Sequence, residues 1–252
     1  MNIKEELDIA EDLRLSGDYT AAKVKYEAIL VEDNEQLPEY AHSLRGLAEI
    51  YRMLENETES KAFYSKAIHK YQELNHSIGL GYTYLGIGQL NRHQNNTAEA
   101  KENIQESIKC FNESSDSYGL ADAHIELGHI LINEFNLSSA RNEFQTAEQL
   151  YIKLDDIWGT ACAKLGLGKT ELKNKQYEDA KAHLYAAQDL FIINKDKLGQ
   201  ANVNKELGNA FKDLNQPDQA KKHYENARLL YKTMNESKEL EKIQIQLQNL
   251  AN

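Results

Sequence analysis

The chain repeats itself every 40 residues. Counting back from Gly208, steps of 40 reach Gly168, Gly128, Gly88 and Ala48, each preceded by a leucine or isoleucine, and a last step of 38 reaches Ala10 after Ile9. Twelve residues past each anchor stands a small residue: Ala22, Ser60, Ala100, Ala140, Ala180 and Ala220. Four further on comes a large one (Tyr26, Tyr64, Ile104, Phe144, Leu184, Tyr224), and three beyond that a second small residue recurs from Ala67 to Ala227. Self-similarity at such a period means units that bury their apolar faces only against their neighbours.

Each unit reads as two helices. Small residues flank Tyr224 so that a neighbouring helix can approach, and Asn215-Gln216-Pro217-Asp218 is turn chemistry with proline where a first helical turn tolerates it. Only 2 prolines and 13 glycines occur in 252 residues, and strand-like alternation is hard to find. The second helix runs on to an aromatic at Tyr71, Phe111, Tyr151, Phe191 and Tyr231, seven residues past the large position and on the same face. Glycines 79, 119, 159 and 199 each close a polar link, as chain reversals needing special backbone angles would. The spacing predicts hairpins over about 3–36, 41–76, 81–116, 121–156, 161–196 and 201–236, in one domain spanning 1–252. The first is irregular, with Asp33 at the aromatic position and Pro38 in the link. Leu240, Ile243, Leu247 and Leu250 predict a half-wet capping helix over about 238–250.

Charge and cysteine usage narrow the class. The formal charge is −11, which disfavours a phosphate backbone as partner. Cys110 and Cys162 form no CxxC pair, suiting a reducing compartment. The acidic, amphipathic start is no signal peptide, and no run is long enough for a membrane span. The expectation is a cytoplasmic, soluble, all-helical protein that binds neither nucleic acid nor membrane.

The pattern of Leu-Gly on a first helix (A) and Ala, aromatic, Ala on a second (B) resembles the tetratricopeptide repeat (TPR), over about residues 3 to 250. The resemblance implies an all-α, right-handed superhelical α-solenoid of six hairpins plus a C-terminal capping helix. The chain departs from the pattern in its 40-residue period. It also lacks the aromatic four residues before the Leu-Gly glycine, where Leu44, Tyr84, His124, Lys164 and Asn204 stand. The long form is similar to adaptor TPRs of the Leu-Gly-Asn type, as in Glu206-Leu207-Gly208-Asn209-Ala210, and to bacterial regulatory TPRs that sense signalling peptides.

Catalysis has little support. No histidine falls in a metal motif, Cys162 has no placeable general base, and Gly86/Gly88 and Gly166/Gly168 sit inside helices rather than in phosphate loops. His223 is expected on the outer helix of its hairpin, helix B. We therefore expect no catalytic residue, no metal and no cofactor.

The resemblance places A-helix residues on a concave groove. It implies a ligand face comprising Arg45, Glu49, Arg52, Tyr82, Gln89, Arg92, Asp122, Glu126, His129, Asn133, Lys169, Lys173 and Asn209. Over all groove positions nine basic residues face seven acidic ones, so this face is less acidic than the rest. Arg14, Arg52 and Arg92 form a row of forked donors suited to the carboxylates of an extended partner, interrupted by Ile132 and Leu172, which suit an apolar side chain. Arg45 and Glu49, at four-residue spacing, would pair within the chain. The implied function is a non-enzymatic adaptor for a peptide or partner helix, or alternatively a sensor whose superhelix changes pitch on binding. Self-association through an end hairpin is a further expectation.

Overall fold

The computed structural model describes residues 2–251, and among them the chain forms thirteen α-helices and no strand. The helices are α1 Ile3–Leu15, α2 Tyr19–Ile29, α3 Pro38–Met53, α4 Glu57–Glu73, α5 Ser77–His93, α6 Thr97–Ser114 and α7 Ser117–Asn133. There follow α8 Leu137–Lys153, α9 Ile157–Lys173, α10 Tyr177–Ile193, α11 Lys197–Asp213, α12 Pro217–Thr233 and α13 Ser237–Ala251. Odd-numbered helices up to α11 are A helices and even-numbered ones are B helices. The chain divides into two compact units, Met1–Ala123 and His124–Asn252, the division falling within α7. Within each unit a hairpin packs on the next in chain order, α2 against α3 and α4 against α5 in the first, α8 against α9, α10 against α11 and α12 against α13 in the second.

The A helices begin about four residues earlier than the glycine spacing predicts. Gly79, Gly119, Gly159 and Gly199 are not chain reversals: each is the third residue of an A helix, and among the described residues Gly17 alone of the glycines has positive φ. The reversals lie just before, at Asn75, Ser115, Asp155 and Lys195, and in the A-to-B turns at Glu55, Asn95, Phe135, Lys175 and Asn215, all left-handed and none glycine. They recur every 20 residues, so each 40-residue repeat is two nearly equal helix-plus-turn halves. The next residue closes each turn with a long backbone bond, as His76 N–H donates to the Tyr71 carbonyl at 2.9 Å. That residue is also the N-cap: Asp116, Asp156 and Asp196 accept from the N–H of Gly119, Gly159 and Gly199 at 2.9–3.0 Å, and His76 Nδ1 accepts from Gly79.

Those glycines are kept small by the preceding B helix. A methyl group on Gly79, Gly119, Gly159 or Gly199 would fall within 3 Å of the ring of Tyr71, Phe111, Tyr151 or Phe191 respectively. A second set works along the A helix. Gly46, Gly86 and Gly166 lie against Tyr26, Tyr64 and Phe144 of the hairpin before, and Gly128 and Gly208 against Phe144 and Tyr224 of their own hairpin. The small positions of the B helices are fully buried, and where serine replaces alanine it donates across the hairpin: Ser60 to the Ala48 carbonyl and Ser107 to that of Gly81.

The capping helix lies close to its expected place. Ile243 of α13 is buried with Tyr224, Ala227 and Tyr231, and Leu240, Leu247 and Leu250 pack around it. Gln248 stands 40 residues after Gly208, where a following B helix would need a glycine or alanine.

Candidate functional site

In the first unit, α1, α3 and α5 lie side by side. On α1 the Arg14 guanidinium grips Glu11 at 2.5 Å, and on α3 Arg52 grips Glu49 at 2.6 Å. These i,i+3 pairs are the same device one repeat apart. The Tyr64 hydroxyl donates to the other oxygen of Glu49 at 2.7 Å, so a B-helix ring braces an A-helix carboxylate. Burial pushes both carboxyls up, but Arg45 and Arg14 outweigh it at Glu11, and Arg52 outweighs it at Glu49, holding each below the usual range.

The row of arginines is therefore not a set of waiting forks. Arg14 and Arg52 are held by carboxylates of their own helices. Arg45 pairs not with Glu49 but with Glu11 of the preceding hairpin, 3.8 Å away, because Arg52 already occupies Glu49. Arg45 also lies over the Tyr82 ring, 5.7 Å from its centroid. Tyr82 in turn meets Phe111 edge-on at 4.8 Å. His42 packs edge-on against Tyr71. Burial, then the charge of Arg45, pushes its ring down to about 4, so it is neutral at pH 7. Gln89, Arg92 and Asp122 complete the expected residues of this unit, and each has partners of its own.

In the second unit His129 packs edge-on against Phe144 at 5.1 Å, and Asn209 accepts from the Tyr224 hydroxyl at 2.7 Å while donating to Glu206. Glu126 and Lys169 also have partners. Asn133 and Lys173 are exposed, Lys173 lying over the Phe135 ring. Ile132 and Leu172 offer less to a partner than their register implies. Ile132 is 8% exposed and Leu172 packs against the core formed by α9, α10 and α11. His223, on the B helix α12, is buried, stacked on Phe211 and bonded to Asn204 at 3.0 Å. Asn204 and His124 stand where the usual aromatic is missing, and His124 likewise reaches a B-helix partner 19 residues on, Glu143 at 2.6 Å. Polar pairs thus replace the ring.

Spacing alone leaves Tyr26, Tyr64 and Tyr71 as core fillers, yet their hydroxyls point at the charged A-helix residues. A signal exists: tyrosines 26, 64 and 224 go with Glu11, Glu49 and Asn209, which can accept, whereas Phe144 goes with His129. Among the described residues no cluster of three or more His, Cys, Asp or Glu side chains could hold a metal ion. No described helix is long and apolar enough to cross a membrane.

Residues 159–233 match the family model of the tetratricopeptide repeat. Among solved structures the chain is similar to BtubC (BKLC) from P. vanneervenii, with 14% identity, 93% of each chain covered and a TM-score of 0.69. It is similar to a Rap protein complexed with Competence and Sporulation Factor, with 15% identity over 98% of this chain and 73% of that one, at a TM-score of 0.72. It is also similar to a chain of the APC/C hetero-tetramer Cut9–Hcn1, with 18% identity over 99% of this chain and 43% of that one, at a TM-score of 0.78. At such identities the likeness is one of fold. No curated protein matches the chain by sequence.

Proposed function

We propose that this chain, built of tetratricopeptide repeats, is an interaction module without catalytic activity that holds an extended peptide or a partner's helix along its A helices. The observation that carries the reading is the repetition of Glu11–Arg14 at Glu49–Arg52. Both pairs are partly open to solvent, with the arginine side chains 17–20% exposed and their guanidiniums held in position by carboxylates of the same helix. Side chains fixed in advance lose little freedom when a ligand meets them. Exposed Lys173 offers an ammonium to an acidic residue of the partner, and exposed Asn133 a carboxamide.

A second reading is a regulatory sensor whose superhelix changes pitch when a peptide or partner binds. The likeness to the Rap protein complexed with Competence and Sporulation Factor favours it.

The test is a crosslinking pull-down comparing the wild type with Arg52→Glu/Arg92→Glu/Lys169→Glu, both checked for helicity and cooperative melting. A partner captured by the wild type and lost by the folded variant is expected. A partner kept by both moves the site away from the A helices. Scattering profiles with and without that partner separate the two readings, since only the sensor changes dimensions.

A further inference from the structure

In the second unit the B-to-A turns that join α8 to α9 and α10 to α11 carry large apolar side chains in the open. Ile152, Ile157, Trp158, Ile192, Ile193 and Leu198 are 42–63% exposed. The fold does not require them. Other repeats place Gln72, Asn112 and Lys232 at the register of Ile152 and Ile192. They place Ser77 and Ser117 at that of Ile157, and Glu73 and Glu113 at that of Ile193. Exposed apolar residues gathered on one edge mark an interaction surface.

Two features say what meets it. Trp158, the single tryptophan of the chain, is held in place: its indole N–H donates to Asp196 Oδ2 at 2.9 Å, while Asp196 Oδ1 caps α11. A projecting ring fixed in advance loses little freedom in a contact, which suits it as an anchor. Beside it Ile152, Ile157, Thr160 and Leu190, with Asp155 and Asp156, line an open cleft of about 280 Å³. The same edge thus offers both a projection and a recess. Its charges also balance on a chain of net charge −11, since residues 152–158 and 192–198 set Asp155, Asp156 and Asp196 against Lys153, Lys195 and Lys197. A strongly charged partner would meet its own sign here. A second copy related by a two-fold axis brings a recess for each projection and a base for each acid. Independently of the A-helix groove, we infer that this edge is a self-association surface, with Trp158 of each copy against the recess of the other. Four helix ends spaced 8–10 Å apart cover only about 400 Å², half of what a stable dimer takes from each partner, so the dimer is weak. Its dissociation constant should be on the order of 10 µM.

Sedimentation velocity of the whole chain, run a decade either side of that value, should show monomer passing to dimer. Over the same range the emission of Trp158 should move to shorter wavelength, because the contact removes water from the chain's one indole. The variant Ile157→Ser/Ile193→Glu takes residues that the chain itself uses at those registers. It should keep the wild-type melting midpoint and monomer emission while its dimer weakens at least about tenfold. Lys195→Glu/Lys197→Glu, two exposed changes that unbalance the charges, should weaken the dimer about tenfold at low salt and less at high salt. A wild type that stays monomeric throughout overturns the inference. So does a dimer that both variants retain, or one that forms without a change in Trp158 emission. Phosphatidylcholine vesicles added to dilute, monomeric wild type should leave the emission unchanged. A shift to shorter wavelength there would assign the edge to a lipid surface and overturn the self-contact.

Discussion

Phe144 on α8 and Leu184 on α10 occupy equivalent positions 40 residues apart, and what stands against them on the next A helix differs. Phe144 is clamped between Gly128 of its own hairpin and Gly166 of the next. Leu184 fits against Gly168 of its own hairpin and packs with Val203 and Leu207, while Glu206, at the register of Gly166, reaches outward to Asn209. The first unit repeats the aromatic solution twice, with Tyr26 against Gly46 and Tyr64 against Gly86. The volume of one B-helix side chain is therefore coupled to the presence of a Cβ on the following A helix. An interior packed to crystal-like density cannot change one without the other.

The largest effect should come from Gly166→Ala. Alanine favours helix by about 1 kcal/mol, but its methyl would press into Phe144 from one side of a two-sided clamp, and we expect a net loss of about 3 kcal/mol in urea unfolding. Adding Phe144→Leu should recover part of it. If Gly166→Ala stabilises the protein, the clamp is not rigid and the comparison breaks.

Leu184→Phe should cost about 2 kcal/mol, and Glu206→Gly alone about 1 kcal/mol through helix propensity. Combined, they rebuild the Phe144 junction, and a double-mutant cycle should give a favourable coupling of about 1 kcal/mol or more. Additive losses would show that the two junctions are unrelated solutions.

Tyr64→Phe sharpens the contrast between units, because it converts a first-unit junction into the apolar kind seen at Phe144. The ring still fills the space at Gly86, but Glu49 Oε1 loses its donor, and a loss of about 1–2 kcal/mol is expected in thermal or urea melts. A neutral result would mean that the hydroxyl bracing is idle.

The smallest effect concerns the caps. Three B-to-A junctions are capped by aspartate and one by His76. His76→Asp should stabilise by about 0.5 kcal/mol through a better acceptor and a negative charge at the α5 N-terminus, measured as a rise in unfolding midpoint at pH 7.

Much of the fold was legible because its signals are local and repeated. Leu-Gly anchors, small residues flanking a ring and the ring seven residues on define helix faces, and six recurrences make the period unmistakable. Gly79 and its equivalents misled because a glycine after a polar stretch reads as a turn. Its reason for being glycine lies in an aromatic eight residues back on another helix. The candidate site was less legible. Arg45, Glu49 and Arg52 stood out as charged A-helix residues, but three partners for Glu49 were chemically equal on paper, namely Arg45, Arg52 and any hydroxyl across the hairpin.

What the sequence by itself determined is the repeat, the helical class, the buried stripe and the end cap, because these follow from periodicity and side-chain volume along one chain. Only the tertiary structure decided where the turns fall, which carboxylate each arginine takes, and that the Tyr64 hydroxyl braces Glu49 across the hairpin. Those outcomes depend on distances of a few ångströms between helices, where alternative hydrogen-bond partners differ in reach and not in chemistry.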